Sequence, residues 1–288
     1  MKKILSILVI ACVAMLFVSC EKEGVYNPAK KISKIYFTDA NGARNLEESW
    51  NWNSDNTLDK IDYYSDGALA YTLNFSYEKK RLVRMNVYSS NLYVDYTYQG
   101  NQLKEVALYS NGNLIDSYSF TYENGKISRI TDTYFAGKDA VDIMINPLQY
   151  VLPNEIITMV DAISQAYPCE NPKSTVTSNY ELTWDKNNLV KLLRTNTSSD
   201  QTITLKAEYD KMANPFYGAM TEIFFENNIA NGYFSQNNIV LMESMVTSAG
   251  QTATSLANYE YSYEGKYPVS RKLISNNQTT VTEFEYKN

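Results

Sequence analysis

The chain has 288 residues, 44% of them apolar, enough to bury a sizeable core in one large domain or two small ones. Lys and Arg total 26 against 32 Asp and Glu, and this net charge of −6 excludes the basic surface that nucleic acid requires. Histidine is absent, which removes the commonest general base, Ser-His-Asp and Cys-His catalysis, and every imidazole zinc site.

Met1-Lys2-Lys3 precedes an apolar run from Ile4 to Val18, broken only by Ser6 and followed by Ser19-Cys20-Glu21. A basic start, a short apolar stretch and a small residue before the cut are the parts of an export signal. The run is shorter than the roughly 20 residues a spanning helix needs. Phe17-Val18-Ser19-Cys20 resembles a bacterial lipoprotein box, with Phe where Leu is usual. Val9-Ile10-Ala11-Cys12 fits the same pattern, but a cut there would leave Val13–Val18 on the mature chain. Residues 1–19 are therefore expected to be a signal peptide, Cys20 the lipidated residue, and residues 20–34 a polar tether. The expected location is the outer membrane, on its periplasmic or cell-surface side.

Tyrosine, at 25 residues, carries a repeat. Each unit reads aromatic-x-aromatic, a polar turn, then an aliphatic, two positions and another aliphatic. Trp50-Asn51-Trp52 leads to Leu58 and Ile61, and Phe75-Ser76-Tyr77 to Leu82 and Met85. Tyr96-Thr97-Tyr98 leads to Leu103 and Val106, and Phe120-Thr121-Tyr122 to Ile127 and Ile130. Leu182-Thr183-Trp184 with Leu189 and Leu192, Tyr209-Asp210 and Tyr261-Ser262-Tyr263 follow; Phe284-Glu285-Tyr286 opens a unit that the C-terminus cuts off. Alternation of period two puts Leu73, Phe75 and Tyr77 on one face and Thr72, Asn74 and Ser76 on the other. Asp66-Gly67, Asn111-Gly112 and Asn124-Gly125 are hairpin turns, since primed turns need positive φ at both central residues.

Between Asp139 and Ser174 the rhythm stops. Asn154 can cap a helix whose Ile156, Met159, Val160 and Ile163 share a face, so a short helical insert near 139–174 is expected. The predicted fold is all-β: an antiparallel meander of hairpins curling into a barrel or half-barrel, with residues 35–288 as one domain.

Tyr96-Thr97-Tyr98-Gln99-Gly100-Asn101-Gln102-Leu103 is similar to the YD repeats of Rhs-type toxins and teneurins, which build a β shell. The usual Asp is Gln99 here and Glu78, Glu123 or Glu264 elsewhere. The whole mature chain looks like a Bacteroidetes lipoprotein family of unknown function with a porin-like fold. The residues that carry this likeness are the lipobox, the tyrosine units, Asn214-Pro215-Phe216-Tyr217-Gly218 after Tyr209-Asp210, and Tyr263-Glu264-Gly265-Lys266-Tyr267-Pro268. The resemblance implies a β architecture curling toward a barrel and no activity. The acidic residues after Cys20 resemble a surface-export signal of such lipoproteins. A transmembrane barrel is disfavoured, because the alternating stretches run nearer seven residues than the roughly 9–11 needed and lipid-facing positions prefer Leu and Val to Tyr.

Candidate chemistry is sparse. Asp55, Asp59 and Asp62 fail as a calcium loop, because Lys60 stands where the turn Gly belongs, and Glu47-Glu48 matches no motif. Cys169 has no His or basic cluster to activate it. No catalytic residue, metal site or cofactor is expected. Planar rings stack on sugars, so Trp50, Trp52 and Trp184 are the candidate glycan contacts; core packing is the competing assignment. The expected function is a non-enzymatic envelope lipoprotein with a binding or structural role. Its partners would be the membrane, through the Cys20 lipid, and a glycan. The alternative is a glycan-degrading enzyme using two carboxylates.

Overall fold

Alternating strands joined by two-residue turns must run antiparallel, and here they wrap into one closed sheet. The computed structural model describes residues 23–38, 42–135, 175–197, 200–219, 234–275 and 278–287. The strands are β1 (Ile32–Thr38), β2 (Arg44–Trp52), β3 (Leu58–Ser65), β4 (Ala68–Glu78), β5 (Arg81–Val87), β6 (Leu92–Gln99), β7 (Gln102–Ser110) and β8 (Asn113–Glu123). They continue as β9 (Lys126–Tyr134), β10 (Val176–Asp185), β11 (Asn188–Asn196), β12 (Thr202–Ala213), β13 (Asn237–Ser248), β14 (Gln251–Glu264), β15 (Tyr267–Ser275) and β16 (Gln278–Tyr286). Every strand pairs with its sequence neighbours, and β16 returns to β1 through Ile32↔Tyr286, Ile35↔Phe284 and Thr38↔Val281. The half-barrel alternative is thereby overturned: closure leaves no unpaired edge.

The predicted turns hold. Asp66-Gly67, Asn111-Gly112 and Asn124-Gly125 all have positive φ at both positions, as a primed turn requires. The aliphatic-x-x-aliphatic spacing has a specific cause. On a plain strand, residues three apart face opposite ways. In the β6–β7 hairpin, however, Tyr98 faces Leu103 and Thr97 faces Glu105, so Lys104 is an extra residue, a β-bulge. The bulge turns both Leu103 and Val106 inward, each fully buried. The same slip recurs at Asn51/Trp52, Ser76/Tyr77, Thr121/Tyr122, Thr183/Trp184 and Ser262/Tyr263.

Three expectations need correction. The Phe284–Tyr286 unit is not cut off: Ile32 and Ile35 of β1 complete it across the chain ends. The stretch read as tether is partly folded, because β1 begins at Ile32 and Tyr26 is only 2% exposed. Strand length does not argue against membrane spanning, since most strands have nine residues or more. No described residue is helical, and the predicted insert at 139–174 lies wholly outside the described residues. Tyr134 pairs with Val176, so the chain leaves and re-enters the wall at neighbouring strands.

Candidate functional site: the barrel interior

The connections β2–β3, β4–β5, β6–β7, β8–β9, β10–β11, β12–β13 and β14–β15 share one end of the barrel, together with the start of β1 and the end of β16. This tyrosine end is built from the second aromatic of each unit. Tyr98 donates its hydroxyl proton to the carbonyl of Leu82 (2.8 Å), the first aliphatic of the preceding unit. Tyr122 reaches Leu103 (2.9 Å) and Tyr209 reaches Leu189 in the same way, while Tyr286 donates to Pro268 (2.6 Å). Trp52 and Trp184 substitute an indole N–H, donating to Ile32 and Ile127 (both 2.7 Å). In the β14–β15 unit the bond comes from Tyr261, to Ile239 (2.9 Å), and Tyr263 binds Asp210 instead. In these units the ring fills the interior and its polar tip latches one hairpin to the previous one.

This end is also filled. Tyr26 packs on Trp50 and Trp52, and its hydroxyl donates to the Pro215 carbonyl. Phe216, on the β12–β13 connection, lies 6.0 Å from Trp50 and 5.8 Å from Phe284, ring to ring. Asn214 shapes that connection by accepting the Phe216 N–H (3.0 Å) and donating to Ser235 (2.9 Å). The two late motifs, Tyr209-Asp210 and Tyr263–Pro268, meet here: Asp210 accepts the Tyr263 hydroxyl and the Asn238 amide N–H.

Away from the tyrosine end the inner face turns polar. Asp116 and Tyr118 of β8, Asp132 of β9, Ser178 and Tyr180 of β10 and Arg194 of β11 all point inward on consecutive strands. Asp116 is 5% exposed and Asp132 3%. Tyr118 donates to Asp116 (2.9 Å), Tyr180 donates to Asp132 (3.3 Å), and Arg194 donates to Ser178 (3.0 Å). Burial, with the neighbouring Asp132 charge, pushes the Asp116 carboxyl up to about 9. Burial also raises Asp132, against its hydrogen bond to Asp116 and the Arg194 charge. With both carboxyls ionised, Asp116 Oδ1 lacks a donor. One proton on Asp116, given to Asp132, satisfies both. Burial pushes the Tyr118 and Tyr180 hydroxyls up as well, so both stay protonated.

Sequence reasoning missed this cluster, although Asp116-x-Tyr118-x-Phe120 has the period that puts an acid on the aromatic face. Of the residues singled out, Trp50 is buried at 4% and donates its indole N–H to Glu48 (2.6 Å). Trp52 and Trp184 are half-buried latches, with Lys31 and Lys126 over their rings. The structure places Trp50 and Trp52 side by side and Trp184 apart from them, beside Phe234. Asp62 is buried on the outer face, accepting from Lys60 and Thr72 (2.8 and 2.7 Å), not solvated. Asp55 holds the turn by accepting from Thr57. Cys20 and Cys169 lie outside the described residues, and the described residues contain no cluster of potential metal ligands.

The outer face is largely polar, although Leu256 is exposed on it beside Glu243. Ser119 and Thr121 of β8, Glu181 and Thr183 of β10, Lys206 and Glu208 of β12 and Glu260 and Ser262 of β14 are exposed in alternation with buried neighbours. Directly opposed residues form ion pairs: Arg84–Asp95, Arg129–Glu181, Lys206–Glu243 and Lys272–Glu260.

These features define a closed sixteen-stranded antiparallel barrel with a packed aromatic end. The same fold occurs in a porin-like protein from Bacteroides vulgatus, at TM-score 0.55 and 11% identity over 90% of this chain and 99% of that one. It also occurs in a porin-like protein from Bacteroides uniformis, at TM-score 0.52 and 12% identity over 93% of this chain and all of the other. No family model and no curated protein matches the chain.

Proposed function

We propose that this is a non-enzymatic cell-envelope lipoprotein, anchored through Cys20, whose barrel stands outside the bilayer and serves a structural or binding role. The observation that carries this reading is the charged outer wall. A lipid-facing Lys or Arg at mid-bilayer costs about 2–4 kcal/mol, and this wall carries several at mid-strand. The packed tyrosine end argues in the same direction, against a conducting pore. Under this reading the three tryptophans belong to packing and latching rather than to sugar binding.

The Asp116–Asp132 pair is the feature that would favour the glycan-degrading alternative. The two carboxyls are buried and hydrogen-bonded to each other, whereas glycosidase pairs stand about 5 Å apart or more to admit the sugar. The pair therefore reads as a satisfied interior cluster. The test is labelling of the native chain with radioactive palmitate, followed by reconstitution into planar bilayers. Label lost in Cys20→Ala together with no conductance supports the proposal; stable single-channel steps would overturn it.

A further inference from the structure

Residues 23–26 do not hang free of the barrel. The Glu23 N–H donates to the Asn101 carbonyl (3.1 Å), and its carboxyl lies 2.6 Å from the Tyr122 hydroxyl and accepts the Leu103 N–H. The Leu82 N–H donates to the Gly24 carbonyl (2.9 Å). Gly24 has φ +77°, and a Cβ there would fall 2.2 Å from the Tyr98 hydroxyl oxygen, so this contact accepts only glycine. The chain is thus fastened to the tyrosine end at residue 23.

Cys20 is three residues earlier, which limits it to about 11 Å from that anchor even when fully extended. A nine-residue strand runs about 30 Å, or more than 20 Å along the barrel axis after a tilt of roughly 40°. A lipid on Cys20 therefore cannot bring the opposite mouth to the same bilayer. The described turns of the two ends also differ in charge. Lys79, Lys80, Lys126, Lys186, Lys266 and Lys287 lie in or beside turns of the tyrosine end, interspersed with Glu78, Glu123, Asp185 and Glu264. The described turns of the opposite end contain no lysine, and Leu69, Tyr88 and Leu114 are exposed there. Lysines with long apolar stems, alternating with carboxylates, complement a layer of lipid phosphates and ammonium groups.

We infer that the tyrosine end, with its lysine-bearing turns, rests on lipid headgroups and that the opposite mouth faces away from the membrane. This rests on the reading of Cys20 as the lipidated residue. The test uses full-length lipidated protein with Cys169→Ser, carrying a fluorophore at either Lys186→Cys or Asn111→Cys. Each is reconstituted in phosphatidylethanolamine–phosphatidylglycerol vesicles containing spin-labelled lipid. The expected result is several-fold quenching at position 186 and none at 111. Quenching at 111, or at neither site, overturns the inference even if palmitate labelling upholds the anchor. If the chain takes up no palmitate, the anchor reading fails by itself. The Lys186→Cys label is then read on Cys20→Ser protein added to the same vesicles: quenching upholds the lipid-facing end, and its absence overturns it.

Discussion

At the residue scale, two kinds of side chain set the behaviour of this barrel. The latching tyrosines each donate to a main-chain carbonyl of the preceding hairpin. Tyr98→Phe keeps the ring and removes the bond, so it is expected to cost about 1–2 kcal/mol in urea unfolding. The Asp116–Asp132 pair acts in the opposite sense. The folded-state pKa of Asp116, about 9, lies above its unfolded value near 4. The folded state therefore holds the proton more tightly, and stability falls as pH rises between those two values. Melting temperature should decline from pH 5 toward pH 9, and Asp116→Asn, which keeps a donor toward Asp132, should flatten that slope. A slope unchanged in the variant would mean that other groups control it.

At the scale of the element, the hairpin with its bulge is the unit. Inserting one residue between Glu105 and Val106 would slip the register by one, sending Val106 from the interior to the solvent face. Loss of cooperative unfolding or of expression is the expected outcome, whereas Lys104→Ala should stay within about 0.5 kcal/mol of the parent because the side chain is exposed. The strands and turns were legible in the sequence because aromatic alternation and Asn-Gly or Asp-Gly pairs have local causes. The meaning of the aliphatic spacing was not, because Leu103 and Val106 share a face only once the bulge is known. The acid pair was half legible. Asp116 continues the aromatic stripe of Tyr118, Phe120 and Tyr122, and Asp132 lies two residues after the inward Ile130, but their meeting depends on the register between β8 and β9.

At the scale of the whole molecule, closure joins the two chain ends. Phe284 and Tyr286 of β16 face Ile35 and Ile32 of β1, and Trp52 then latches onto Ile32, so the first unit and the last are one ring. Ile32→Ala, at a fully buried site, should cost about 2–5 kcal/mol, as much as a change in any central unit. Nothing local in the sequence announces this, because Ile32-x-x-Ile35 and Phe284-Glu285-Tyr286 stand at opposite ends of the chain. Aromatic rings, with Phe216 of the β12–β13 connection, pack together at one end, and ion pairs stand on the outer wall; these are the two features on which the proposal of a barrel outside the bilayer rests.

Solvent reactivity of the outer wall tests that last point most directly. Cysteines placed at Ser119 and Asn258, exposed outward positions at mid-strand, in a Cys169→Ser background, would be exposed to a membrane-impermeant maleimide in outward-facing proteoliposomes of the lipidated chain. A barrel standing clear of the bilayer predicts labelling as fast as in detergent at both positions. Protection at both, relieved only by detergent, would mean that the wall is embedded in lipid and would contradict the account.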